Sequence, residues 1–155
     1  MTIESVRAFF AEHAPDIQIL ELGQSTATVE LAAQAHGVEP GQIAKTLSLR
    51  TADQVVLVVA CGDTRLDNKK LRHVLGGRPK MLNADEVAAL TGHPVGGVCP
   101  FGLAQALPVY CDIRLQNYPI VMPAAGSLDS AVRITPARLA ELANGHWVDV
   151  CQSIV

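Results

Sequence analysis

The 155 residues are nearly half apolar (49%) and only 17% charged, with a formal net charge of −3. This length supports one domain, residues 1–155, around a buried core, and the composition excludes a disordered chain. The mild negative charge excludes a broad phosphate-tracking surface for long nucleic acid, although contact with the end of one RNA strand needs only a few cations. The longest apolar run, Val55–Cys61, is far shorter than the ~20 residues of a spanning helix, so no membrane role is expected. No basic segment leading into an apolar one opens the chain, and the expected location is the cytoplasm. The cysteines at 61, 99, 111 and 151 form no CxxC pair, which predicts reduced thiols rather than a zinc knuckle or a redox motif.

In chain order, residues 5–12 read as a short helix ended by Pro15, and 17–22 as an early strand. Ser25 or Thr26 is expected to cap a helix over 28–36 that closes at Gly37. His36, at its end, reads as a residue near solvent. After the Pro40-Gly41 turn, 43–50 and 55–61 form a predicted β-hairpin, with the Val-rich second strand buried on both faces. Asp67 or Asn68 opens a helix through Leu75 that stops at Gly76-Gly77. Lys69, Lys70, Arg72 and Arg78 form the densest basic cluster, either a solvated helix face or a hold on RNA phosphates. Asn83 caps a helix over 84–90, with Asp85 and Glu86 in the first turn where the dipole favours them. Strands are expected at 108–112, 120–122 and 132–134. A helix from Pro136 to Ala143 then stops at Gly145, and a last strand covers 147–150. Short strands with irregularly interspersed helices predict an α+β fold with a mixed, curved sheet rather than a doubly wound one.

Two stretches carry the chemistry. Lys45 stands alone in an apolar strand-like run, where a buried ammonium is costly unless it is paired or used. It either snorkels or pairs with a carboxylate such as Asp112, or it binds a phosphate or polarises an ester carbonyl. The segment from Thr91 to Gly102 spends four glycines and two prolines, more backbone specification than a connector needs. Gly96, Gly97 and Val98 either make a tight turn after the helix or offer backbone donors to a developing oxyanion. Cys99 is a candidate nucleophile, with His93 as the one local base. Asp112 orders a pocket wall or caps a turn. No metal-ligand spacing and no nucleotide-binding glycine motif occurs, so neither a metal nor a cofactor is expected.

The order Lys45, then Gly96-Gly97-Val98-Cys99-Pro100-Phe101-Gly102, then Asp112, then Ala124-Ala125-Gly126 resembles the YbaK/EbsC family. Its members are free-standing relatives of the editing domain inserted in bacterial prolyl-tRNA synthetase, and the likeness runs from about Thr26 to Asp149. The resemblance implies a barrel-like mixed sheet with surrounding short helices. It also implies an aminoacyl-tRNA deacylase that hydrolyses the ester of a mischarged tRNA, with tRNA(Pro) carrying a small wrong amino acid the first expectation. The implied partners are the acceptor end of the aminoacyl-tRNA and prolyl-tRNA synthetase; no oligomeric state is implied.

The matching Lys is the family's main functional side chain, which favours the catalytic reading of Lys45, with Gly96, Gly97 and Val98 holding the carbonyl oxygen. Thr26, Thr28, Cys99, Pro100, Asp112 and Gly126 carry over as substrate-binding positions. Many members have Ser where Cys99 stands, and a thiol is the weaker donor. Some alanine-removing relatives have a His after the Asp-bearing strand, whereas none occurs here between Tyr118 and Ser130. Gly126 is followed by Ser127-Leu128-Asp129, where other members have basic residues. Cys, Ala, Ser and other small amino acids therefore all stay open. Two other readings stand beside the deacylase: a non-catalytic module that binds aminoacyl-tRNA or a synthetase, and a thiol hydrolase dependent on Cys99.

Overall fold

The computed structural model of the protein describes residues 2–153. Helix α1 (Thr2–His13) and strand β1 (Ile19–Glu21) lead to α2 (Val29–His36). The hairpin β2 (Ile43–Arg50) and β3 (Val55–Cys61) follows, with the bounds that its β-branched, apolar runs predict. Next come β4 (Thr64–Leu66), α3 (Asn68–Leu75), β5 (Lys80–Met81) and α4 (Ala84–Thr91). The chain then runs through β6 (Val109–Asp112), β7 (Met122–Pro123), β8 (Ser130–Val132), α5 (Pro136–Ala143), β9 (Gly145–Val148) and β10 (Cys151–Ser153).

The main sheet has the order β5-β2-β3-β6-β9, with β7 also pairing β2. It is mixed, because β2 is antiparallel to β3 and β5 but parallel to β7, while β3, β6 and β9 run parallel. Two-stranded pairs β1–β8 and β4–β10 stand apart from it. The mixed α+β architecture is the expected one. Its strands are divided among three sheets and do not close into a single ring.

Strand β3 is buried along its whole length. Leu57, Val59 and Cys61 face the larger core with Phe10, Phe101 and Leu139, whereas Val56, Val58 and Ala60 face Leu71 and Val150. Burial on both faces explains why its sequence shows no polar alternation.

Several ends differ from expectation. Thr28, not Ser25 or Thr26, caps α2, its Oγ1 accepting from Leu31 N–H at 3.2 Å. Asn144, left-handed at φ 52°, ends α5, and Gly145 begins β9 instead. The strand expected over 120–122 is pushed on to Met122–Pro123, leaving Val121 in a single bridge to Ile134. The last strand likewise splits into β9 and β10, and β4 and β5 are too short to leave a periodic signal.

Candidate active site

The sheet is incomplete along the outer edge of β2. There β7 pairs only with Ile43 and Ala44, and β5 only with Leu49 and Arg50. Residues 45–48 have no strand partner on that side. A cavity of about 280 Å³ occupies the gap, roofed by α2, by the ends of β5 and β7, and by the glycine-rich loop. It holds about nine waters at ~30 Å³ each. That is room enough for a group of amino-acid size.

Lys45 lies on the cavity wall, half-buried. Its ammonium donates to the backbone carbonyl of Thr64 and, at 3.5 Å, to that of Gly62. Burial lowers its pKa, and the nearby Asp63 carboxylate works against that shift. Two of its three N–H donors are engaged, which leaves one for a ligand. The expected pairing with Asp112 does not occur, because β3 lies between their two strands. Asp112 is fully buried and accepts from Val150 N–H at 3.0 Å, Arg114 N–H at 3.1 Å and the Arg114 guanidinium at 3.2 Å. It caps the 3-10 turn that follows β6 and does not reach the cavity.

The glycine loop is a type II turn. Gly97 N–H donates to Pro94 O at 2.9 Å, and Gly96 sits at φ +93° in the third position, where only glycine is unstrained. This corrects one expected role, since the Gly97 amide is already spent inside the turn. Its carbonyl accepts from Gly126 N–H at 2.9 Å, and a Cβ on Gly97 would lie 2.9 Å from the backbone of Ser127. Gly97 and Gly126 therefore buttress the loop from behind. Gly96 and Val98 do line the cavity, and among the described residues their N–H groups have no partner in the protein.

Cys99 and Pro100 turn away from the cavity. Cys99 is fully buried, and burial pushes its thiol up to about 12. Its sulfur lies 3.7 Å from His93 Nε2, the pair expected for a thiol nucleophile. Yet His93 Nε2 is 2.7 Å from Phe101 O, so that nitrogen carries a proton and donates it to the carbonyl. Burial also lowers the His93 pKa, with the bond to Phe101 O working against that shift. With no thiolate, no free base nitrogen beside the sulfur and no access, the Cys99 hydrolase reading fails. Pro100 belongs to a separate groove with Phe9 and Leu142.

Thr26 and Thr28 do line the cavity, both with structural duties. Thr26 Oγ1 donates to Leu128 O at 3.2 Å, and Thr28 caps α2. The fold thus brings together Lys45, Gly96, Val98, Thr26 and Thr28, while Gly97, Cys99, Pro100, Asp112 and Gly126 stand behind the wall.

Two cavity residues escape a reading of the sequence. Among the described residues, His36 Nε2, Thr46 Oγ1 and His93 Nδ1 are the buried side-chain polar atoms without a partner, and the first two belong to the cavity lining. His36 is not the solvent-side residue expected; burial, seconded by Arg133, lowers its pKa. The available signal was the spacing of Val29, Ala32, Ala33 and His36, which puts the ring on the buried stripe of α2. Among the cavity residues, Met81 and Val95 are 60% and 58% exposed and give it an apolar outer surface. In the basic cluster, Lys70 is bonded to Asp149 at 2.9 Å, whereas Lys69, Arg72 and Arg78 are exposed and unpaired among the described residues. No group of three or more His, Cys, Asp or Glu among those residues is placed to hold a metal, and no helix is long and apolar enough to cross a membrane.

An amino-acid-sized cavity walled by a lysine and free backbone amides, set in this sheet, defines a class: the chain belongs to the aminoacyl-tRNA editing domain family, which matches residues 24–142. Particular relatives sharpen that placing. The chain is 46% identical to YwhH of Bacillus subtilis (strain 168) over 154 residues, 98% of each protein. It is 30% identical to EbsC of Enterococcus faecalis (strain ATCC 700802 / V583), provisionally named a Cys-tRNA(Pro)/Cys-tRNA(Cys) deacylase, over 79% of this chain and 76% of that one. A crystal structure provisionally described as a trans-editing enzyme for prolyl tRNA synthetase superposes with a TM-score of 0.91 at 34% identity, covering 97% of each chain.

Proposed function

We propose that the protein is a trans-editing aminoacyl-tRNA deacylase that removes a small wrong amino acid from tRNA, with tRNA(Pro) the first candidate. The observation that carries this reading is the cavity in the β2 edge, which combines Lys45 with the free N–H groups of Gly96 and Val98. The relatives' printed names support the same reaction class.

In this mechanism the aminoacyl group enters the cavity and the terminal ribose stays at its mouth, with the adenine against Met81 and Val95. The loop amides meet oxygens of the ester and its ribose, and the remaining Lys45 donor meets the ester or the terminal phosphate. A water, or a group of the substrate itself, attacks the carbonyl carbon. The C–O bond to the ribose breaks, and the ribose oxygen takes up a proton. Positioning and water exclusion supply the rate, since no cysteine lines the cavity to serve as a thiolate nucleophile. Lys69, Arg72 and Arg78 are suited to hold the phosphates of the acceptor stem as it leaves the cavity. A deacylase of this kind works in the cytoplasm, where prolyl-tRNA synthetase supplies its substrate.

The test is release of labelled amino acid from tRNA(Pro) charged with Pro, Ala, Cys or Ser. Release of one wrong amino acid with Pro-tRNA(Pro) spared is the expected result. Binding of every charged tRNA with no release would withdraw the enzyme and leave a binding module.

A further inference from the structure

We infer that the substrate's amino acid binds as a one-residue strand in the gap of the main sheet, paired to the main chain of Thr46. This rests on the deacylase reading and deepens it by assigning the groups that recognise the aminoacyl moiety.

The ladder fixes which way each backbone group of β2 points. Gly62 N–H donates to Ile43 O at 2.8 Å, so in the antiparallel β2–β3 pairing residues 43, 45, 47 and 49 face β3. The even-numbered residues face outward, as the bond from Leu82 N–H to Ser48 O at 3.1 Å confirms. Ala44 is covered by β7 and the Ser48 carbonyl by Leu82, which leaves Thr46 with both its N–H and its C=O directed into the gap. An unpaired strand edge walled into a cavity is a template for another extended chain.

An aminoacyl ester fits that template in one way. Its α-ammonium and ester carbonyl belong to one residue, as do the Thr46 carbonyl and amide. In an extended conformation the ammonium donates to Thr46 O, and the ester carbonyl accepts from Thr46 N–H. No carboxylate lines the cavity to meet the ammonium, and the Thr46 carbonyl is a backbone acceptor open to it. The pairing also aligns the ester carbonyl with a fixed N–H dipole, which favours the build-up of negative charge on its oxygen. Between β7 at Ala44 and the Leu82 bond at Ser48, Thr46 is the residue of this edge with both outward backbone groups open, so the template offers a matched pair of bonds to one residue.

The experiment is amide hydrogen exchange, read by NMR on the full chain, without and with a non-hydrolysable 3′-(aminoacylamino)-3′-deoxyadenosine bearing the amino acid released in the hydrolysis assay, or Ser if none is released. Without ligand, Thr46 should exchange quickly while Lys45 and Leu47, bonded to β3, exchange slowly. Saturating analogue should slow Thr46 by about tenfold or more, the equivalent of one hydrogen bond. If the analogue shifts Gly96 and Val98 but leaves Thr46 exchanging freely, the strand pairing is wrong and the deacylase reading stands. If it does not bind and no charged tRNA is hydrolysed, both fall together.

Discussion

The protein holds its reactive-looking residues in two regions, the cavity along β2 and the packed interior. The cavity contains a half-buried lysine with a donor to spare, two free loop amides and two orphaned polar atoms. The interior contains Cys99, His93 and Asp112, more familiar as catalytic types, and there Asp112 is fully bonded and the Cys99 thiol is pushed up to about 12. Residue type made the second region look as reactive as the first. Access and unspent hydrogen-bonding capacity separate them, and both follow from topology.

The sharpest way to break this comparison is to remove a member of the first region. Lys45→Ala should lower kcat/KM for deacylation by about 100-fold or more, a loss of ~3 kcal/mol in transition-state stabilisation. Its thermal stability should change by no more than about 1 kcal/mol, because the desolvation cost removed offsets two bonds to carbonyls. Asp112→Ala is the counterpart in the interior. Calorimetry should show a loss of about 3 kcal/mol, because the N–H groups of Arg114 and Val150 lose their acceptor while the Arg114 guanidinium keeps Asp149, and the kcat/KM of the fraction that stays folded should hold within about threefold.

Gly97→Ala tests the wall between the regions. A Cβ there meets the backbone of Ser127 at 2.9 Å, so the loop must shift. A cost of about 2 kcal/mol in stability is expected, with a tenfold fall in kcat as the Gly96 and Val98 amides move.

The smallest effect concerns pH. His36 has a lowered pKa in the folded protein, so below the ordinary value of 6.5 the unfolded chain takes up its proton first. Stability should therefore fall as pH drops from about 6.5 through the folded-state value, and be flat above it. His36→Gln should remove part of that acid limb in denaturant titrations. His93, shifted the same way, should supply the remainder.

Much of the fold was legible where a run was long enough to show its period. The hairpin β2–β3 and the caps Asp67 and Asn83 follow from side-chain chemistry local to each element. The pairs made by β4 and β5 were not, since strands of two or three residues are fixed by their distant partners. The site divides the same way. Lys45 stood out because a charge inside an apolar strand needs a reason. The gap at Thr46 could not be read, because it depends on where β5 and β7 stop. His36 was misplaced because its sequence neighbours say helix end, while residues that share its cavity, such as Met122 and Ala131, lie nearly a hundred positions away.

The most direct measurement places one residue from each region side by side. Deacylation of the same mischarged tRNA would be followed for wild type, Lys45→Ala and Cys99→Ala, with and without prior treatment by a thiol-alkylating reagent. The account predicts that Lys45→Ala abolishes release, whereas Cys99→Ala and alkylated wild type keep at least half of it. Loss of release in Cys99→Ala or on alkylation, with Lys45→Ala still active, would move the chemistry into the interior and contradict the account.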